Sequence, residues 1–238
     1  MKVIHNIEEF NPNKPVWVTQ GTFDGVHIGH QKILKQVVAE ARKNDGVSVL
    51  LTFYPHPRLV LYPDDNELKL LNTIDEKARL VERLGIDYMI ILPFTKELSR
   101  MPAMEFVRDV LVTQLNTKKL IIGYDHRFGR NREGSLEKMI ELAAIYGFQV
   151  EEIPAQDIDD STVSSTKIRK ALLSGDVQTA TQYLGKNYTI SGRVVEGHKK
   201  GRKLGYPTAN IALETMYKLI PQNGVYAVKL HVEHKTYN

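Results

Sequence analysis

Residues 16–43 constrain the fold more than any other stretch of the chain. Val16-Trp17-Val18-Thr19-Gln20 is a short β-branched and aromatic run suited to a strand. Ile33, Leu34, Val37, Val38 and Ala41 then recur at helical spacing within Ile28 to Lys43, forming one apolar stripe. A glycine-broken turn joins the two, so the pair reads as a strand feeding a helix that packs back on a sheet. The rhythm repeats. Val47–Phe53, Tyr88–Leu92, Lys119–Gly123 and Gln149–Ile153 read as strands, with helices over Thr73–Leu84, Ala103–Leu115 and Glu133–Tyr146. The expected class is α/β, a doubly wound parallel sheet of Rossmann-like type. Ligands of such sheets bind beyond the carboxyl ends of the strands, which singles out the residues after Gln20, Phe53 and Gly123.

Composition removes several classes of chemistry. The 238 residues include no cysteine, so disulfides, thiolate metal sites and cysteine nucleophiles are excluded, and a metal has only oxygen or imidazole to bind. Net charge is +4, but 28 acids are interleaved with 32 bases, a pattern expected of an enzyme with anionic small ligands rather than a nucleic-acid binder. Met1 to Phe10 lacks the apolar stretch of a secretory signal, and Val47–Tyr54 and Met89–Phe94 are far short of the ~18 residues that span a membrane. A cytoplasmic protein is expected.

The turn after the first strand is Gly21-Thr22-Phe23-Asp24-Gly25-Val26-His27-Ile28-Gly29-His30. It delivers backbone amides and two imidazoles to a helix N-terminus, which is an anion site on physical grounds. Gly21 and Gly25 permit a tight turn, and Gly29 lets a ligand approach the backbone. His27 and His30, three residues apart, project from one side of the helix and can grip a polyphosphate. Phosphate charge favours the protonated rings, which then stabilise charge on departing pyrophosphate rather than attack as nucleophiles. One isolated histidine would more often be structural; a glycine-flanked pair in this position favours the functional reading. Asp24 is either a nucleotide contact or a turn residue.

H-x-G-H after a first strand resembles the nucleotidyltransferase superfamily, whose members transfer AMP or CMP from a nucleoside triphosphate. The longer Gly21 to His27 segment resembles the opening motif of bacterial FAD synthetases, and so does Phe53-Tyr54-Pro55-His56-Pro57-Arg58 at the end of the second expected strand. Gly123-Tyr124-Asp125-His126-Arg127-Phe128-Gly129 is similar to a third family segment, with His126 where phenylalanine is usual. Ser164-Ser165-Thr166-Lys167-Ile168-Arg169 looks like its S-S-T-x-I-R motif, and Ser164 or Ser165 is suited to cap the helix that follows.

The resemblance implies AMP transfer from ATP to FMN, giving FAD and pyrophosphate, with Mg²⁺ bridging phosphate oxygens. It assigns catalysis to His27, His30 and Arg169, and nucleotide binding to Gly21, Phe23, Asp24, Gly29, Asp125, Arg127, Ser164, Ser165, Thr166 and Lys167. Phe53, Tyr54, His56, Pro57 and Arg58 are the implied flavin contacts. The FMN phosphate is already ionised, so its attack on the α-phosphorus needs alignment and charge neutralisation but no general base.

A short helix, Val177–Leu184, is expected to end at Gly185, and β-rich sequence with glycine-rich turns starts at Tyr188. The expected division is therefore 1–185 and 186–238. Gly197-His198-Lys199-Lys200-Gly201-Arg202-Lys203-Leu204-Gly205-Tyr206-Pro207-Thr208-Ala209-Asn210 resembles the riboflavin kinase module. That likeness implies a phosphate loop with Gly197, Gly201, Lys203 and Gly205, and Mg²⁺ contacts from Thr208 and Asn210. Asn223-Gly224-Val225-Tyr226 is expected to open a following strand. The kinase barrel of the family is longer than Tyr188 to Asn238 and carries its glutamate base downstream, so a partial β-barrel with unpaired edges and no riboflavin phosphorylation is expected. The other readings are a nicotinate- or pantetheine-phosphate type H-x-G-H nucleotidyltransferase, a noncatalytic flavin-binding regulator, and an RNA-binding protein. Oligomeric state is not legible.

Overall fold

The five residues Val16–Gln20 form strand β2 and are buried without alternation, as a central strand covered on both faces must be. It belongs to a computed structural model that describes residues 1–64, 68–124, 127–130, 134–154, 163–203, 205–206, 208–233 and 235–237. The strands of the sheet are β1 (Lys2–Ile4), β2, β3 (Val47–Tyr54), β4 (Tyr88–Pro93), β5 (Thr117–Gly123) and β6 (Gln149–Ile153). They are ordered β1-β4-β3-β2-β5-β6, and every pairing is parallel. Strand order therefore reverses at β2, between β3 and β5, which places the crevice for a ligand at the end of β2.

Helix α1 (Ile28–Lys43) buries Ile33, Leu34, Val37, Val38 and Ala41, the stripe expected from the sequence. These side chains pack with Trp17, Leu50, Met89 and Ile121 on one face of the sheet. The other face meets Phe106, Val107, Val110, Leu111 and Met139. Helix α2 (Pro57–Leu61) has Pro57 in its first turn, and α3 (Ile74–Arg83) starts with a complete capping box between Thr73 and Glu76. The helix expected over Ala103–Leu115 is a single α turn, Ala103–Glu105, that continues as a π-helix, Phe106–Gln114. Its i→i+5 bonding is completed where the Leu115 amide donates to the Val110 carbonyl, 3.0 Å away. The next helix runs Leu136–Tyr146 with Ser135 as its cap; the expected start at Glu133 lies outside the described residues. Strand β1 has no counterpart in the sequence reading. Only Ile4 of its three residues is buried, too little to leave a pattern.

Two more helices, Ser165–Leu173 and Val177–Leu184, form a third apolar cluster with Leu71 and Val163. Beyond them β7 (Gly192–Val195) pairs antiparallel with β8 (Asn210–Leu213), and β9 (Leu230–Val232) with β10 (Lys235–Tyr237). Residues 225–229 belong to no strand, so the strand expected to open at Asn223 to Tyr226 begins only at Leu230. Val194, Val225 and Val228 are exposed. Between the two sheets, residues Thr215 to Gln222 run back over the first part of the chain. Leu219 is fully buried in the third cluster. No helix among the described residues is long and apolar enough to cross a membrane.

Candidate active site

The turn leaving β2 is shaped by four residues at positive φ: Gly21, Phe23, Gly25 and Val26. At Gly25, with φ 89°, a Cβ would fall 2.7 Å from Leu71 Cδ1, so both the backbone conformation and the packing select glycine. The turn folds Phe23 inward and brings Asp24 into the interior, only 4% exposed.

Asp24 is the centre of the site. Its Oδ1 accepts from the amides of Leu71 (3.0 Å) and Asn72 (3.2 Å), and its Oδ2 accepts from the Arg169 guanidinium at 2.5 Å. Arg169 Nε donates to the Lys69 carbonyl at 2.7 Å, and the Ser165 hydroxyl donates to the Asp24 carbonyl at 2.8 Å. The S-S-T-K-I-R segment is thus brought to the H-x-G-H turn through one carboxylate. Ser164, not Ser165, caps the helix, its hydroxyl accepting from the Lys167 amide at 3.3 Å, while Thr166 and Lys167 face outward.

His27 is the N-cap of α1. Its Nδ1 accepts from the His30 amide at 3.3 Å, which puts the proton of the neutral ring on Nε2. The two rings stack 3.6 Å apart at 18°, and Phe23 lies 4.8 Å from His30. His30 Nδ1 is buried with no hydrogen-bond partner. Burial changes the starting protonation from the one expected by sequence. It pushes the His27 pKa down to about 4, with Lys186 adding to the effect and Asp24 opposing it. The His30 ring is held well below its usual range by burial, then by His27, Lys77 and Lys186. Without ligand both rings are neutral at pH 7 and offer N–H donors rather than full charges.

Fixed charge comes instead from two lysines that motif reading missed. The Lys77 ammonium, on α3, donates to the Thr22 carbonyl at 2.6 Å and to Thr52 Oγ1 at 3.4 Å. The Lys186 ammonium donates to the carbonyls of Gly25 (2.9 Å) and Val26 (3.0 Å). Burial lowers each to about 8, so both are largely protonated at pH 7. Each ammonium has three N–H groups, and these contacts use two. The sequence signal for Lys77 is faint: it shares the buried face of α3 with Val81, four residues on.

The second motif reaches the same centre. His56 caps α2, its Nδ1 accepting from the Arg58 amide at 3.2 Å. Burial pushes it down to about 4, and it feels Asp24, Lys77, Arg169 and Arg58 in turn. Phe53 packs edge-on to Phe94 at 5.7 Å, and Tyr54 is half exposed beside them. At the end of β5, Arg127 is exposed whereas Phe128 is buried against Phe106, 6.4 Å away. Asp125 lies outside the described residues, as does Pro207.

In the second part of the chain, a Cβ on Gly197 would fall 2.1 Å from Asn210 Nδ2, and one on Gly201 would fall 3.3 Å from Thr208 Oγ1. The glycine loop therefore lies directly against the two oxygen-bearing side chains of the expected Mg²⁺ contacts. Gly205 has φ 82°, and Lys203 is exposed. Among the described residues there is no cluster of three carboxylate or imidazole side chains able to hold a metal, and Asp24 is consumed by Arg169 and two amides. The Thr208 hydroxyl and the Asn210 amide oxygen are hard donors of the kind that Mg²⁺ accepts.

A doubly wound sheet with paired histidines at the helix N-terminus of its switch point defines a nucleotidyltransferase of the H-x-G-H class. The FAD synthetase family model matches residues 10–167, and the riboflavin kinase model matches residues 184–238. A bifunctional riboflavin kinase/FMN adenylyltransferase of Buchnera aphidicola (subsp. Schizaphis graminum) is 42% identical over 95% of this chain and 72% of its own. That of Listeria monocytogenes is 39% identical over 91% and 68%, and that of Escherichia coli K12 is 35% identical over 95% and 71%. A solved Streptococcus pneumoniae structure, described as a macrolide-efflux protein, superposes with TM-score 0.87 at 30% identity over 99% of this chain and 76% of its own. The chain belongs to the bifunctional riboflavin kinase/FMN adenylyltransferase family and is an FMN adenylyltransferase.

Proposed function

We propose that AMP transfer to FMN takes place at the end of β2, with His27, His30, Lys77, Lys186 and Arg169 receiving the phosphates of ATP. A phosphate oxygen of FMN forms a bond to the α-phosphorus while the bond from that phosphorus to the bridging oxygen of the β-phosphate breaks. Pyrophosphate leaves with the electron pair. No proton transfer is required, because the attacking phosphate is ionised at pH 7. The protein's task is alignment and charge placement. The N-terminal amides of the 16-residue α1, the neutral imidazole N–H groups and the two lysines give a positive floor over which the triphosphate extends. The observation that carries this reading is the stacked His27–His30 pair at the switch point of the sheet.

Phe53, Tyr54, His56, Pro57 and Arg58 form the rim where β3 ends, and the flavin lies there in this reading, its ring beside Phe53 and its phosphate turned toward α1. Gly21, Phe23 and Gly29 shape the nucleotide path, Asp24 and Ser165 hold it in form, and Thr166 and Lys167 with Arg127 lie at its open edge. The family resemblance adds Asp125 to the nucleotide-binding residues. The chain divides into modules at 185/186. In the second, Gly197, Gly201, Lys203 and Gly205 form a phosphate loop, and Thr208 and Asn210 would hold Mg²⁺, which neutralises phosphate charge when bound. In this reading the protein works in the cytoplasm, and its partners are small molecules rather than nucleic acid. The test is chromatography of flavins after incubation with magnesium ATP and FMN, comparing the wild type with His27→Ala. FAD formation lost with retained folding supports the site; undiminished formation removes it.

A further inference from the structure

Arg169 does not stand alone in the site. Both of its anchors, the Lys69 carbonyl and the Asp24 carboxylate, depend on where residues 69–72 run, since Asp24 is itself tied to the Leu71 and Asn72 amides. That segment is gripped from its other side by the second module. The Leu70 amide donates to the Tyr217 carbonyl at 2.6 Å, and the Leu219 amide returns to the Leu70 carbonyl at 2.9 Å. Between them Lys218 is buried, 2% exposed. Its ammonium donates to the Leu71 carbonyl at 2.7 Å and to Glu76 Oε2 at 2.6 Å, and lies 4.4 Å over the Tyr188 ring. Two of its three N–H groups are thereby used in hydrogen bonds, and the ring lies against the charge.

Leu71 is thus held on both sides of its peptide chain, its amide by Asp24 and its carbonyl by Lys218. Glu76 completes the junction, with Oε2 also accepting from the Thr73 amide and Oε1 accepting from the Ser191 amide at 3.0 Å. Lys218 stands eight residues after Asn210, on the segment that leaves β8, so the strap is continuous with the part of the second module nearest its expected phosphate loop.

We infer that Lys218 is a positioning residue for adenylyl transfer: through the Leu71 carbonyl it fixes the 69–72 segment, and through that segment the Asp24–Arg169 pair. The adenylyltransferase centre is then completed by the module that resembles riboflavin kinase. The inference rests on the proposed role of Arg169 at the ATP phosphates.

Two variants separate this role from simple neutralisation of a buried carboxylate. Glu76→Gln with Lys218→Gln neutralises both partners of the ion pair and keeps an N–H donor for the Leu71 carbonyl; Glu76→Gln with Lys218→Met neutralises them equally and deletes that donor. The first is expected to turn over FMN near the wild-type rate, and the second to lose about tenfold or more in kcat with little change in KM for FMN. Equal kcat in the two variants would overturn the inference. A measurement on the wild type covers the case in which the methionine variant does not fold. Arg169 meets the ATP phosphates already in the bound ground state in this reading, so ATP binding and ordering of the strap are linked, and a non-hydrolysable magnesium ATP analogue is expected to slow amide exchange at Leu219 by about fivefold or more. Unchanged exchange at saturation overturns the inference as well. His30→Ala, assayed in parallel, tells the failures apart: full activity there removes the reading of the site, whereas a dead His30→Ala beside a fully active methionine variant removes only the role of Lys218.

Discussion

Asp24 and Arg169 are 145 residues apart in sequence and share a 2.5 Å ion pair from which most of the site can be traced. The carboxylate sits in the H-x-G-H turn, and the guanidinium is on the last motif of the first module. With Asp24 only 4% exposed, the pair exchanges hydration for two backbone amides and one guanidinium. Breaking such a pair from one side leaves an unmatched buried charge.

Asp24→Asn is therefore expected to destabilise the protein by about 3 kcal/mol and to reduce FAD formation together with it. Its amide NH₂ also meets donors already aimed at that position. Denaturant melts and flavin chromatography on the same preparation check both. A variant of wild-type stability would show that the carboxylate is not the anchor described.

Gly25→Ala tests the turn itself. Its φ of 89° and the 2.7 Å approach to Leu71 Cδ1 predict a loss of about 1–3 kcal/mol and a lower melting temperature. Gly147→Ala is the natural comparison, since φ is 75° there but a Cβ meets nothing within 4 Å. A Gly25 variant no worse than the Gly147 variant would contradict the close approach.

The buried histidines set a pH dependence. His27 and His56 have folded-state values of about 4 against 6.5 unperturbed. Between those values the unfolded chain binds more protons, so stability falls as pH drops from about 6.5 to 4 and this contribution levels off below that. Each such group gives a slope of at most about 1.4 kcal/mol per pH unit. Replacing His27 with Gln should flatten the curve over that interval. An unchanged slope would mean that the ring is not held neutral.

Lys77 supplies two opposite trends above neutrality. Its folded value of about 8 against 10.5 means that it loses its charge as pH rises through 8, so ATP affinity is expected to fall there. Stability should rise over the same interval, because the unfolded lysine keeps its proton up to 10.5. Lys77→Met should raise KM for ATP about tenfold at pH 7 and shrink the alkaline decline to the part that Lys186, also near 8, supplies. A decline as large as the wild type's in that variant would assign the effect to groups other than Lys77.

Much of the fold was legible because β2 and α1 carry unbroken patterns: Val16–Gln20 and Ile28–Lys43 fall where the sequence puts them. Strand β1 was missed because one buried residue makes no period, and the π-helical hydrogen bonding at Phe106–Gln114 leaves the apolar spacing close to that of an α-helix. The motifs mark the candidate residues but not their wiring. H-x-G-H and S-S-T-K-I-R are visible as strings, whereas the meeting of Asp24 with Arg169 depends on tertiary contacts. Lys77, Lys186 and Lys218 carry no motif at all. A lysine reads as a solvated side chain until the structure shows its ammonium on buried carbonyls.

The proposed role of the paired histidines at the head of α1 in adenylyl transfer is open to a kinetic test. It is tested most directly by single-turnover conversion of FMN to FAD, with pyrophosphate release followed in parallel, in the wild type and in His30→Ala at saturating magnesium ATP. Matched FAD and pyrophosphate are expected in the wild type, with a rate lower by about a hundredfold in a folded His30→Ala. An undiminished rate in that variant would contradict it.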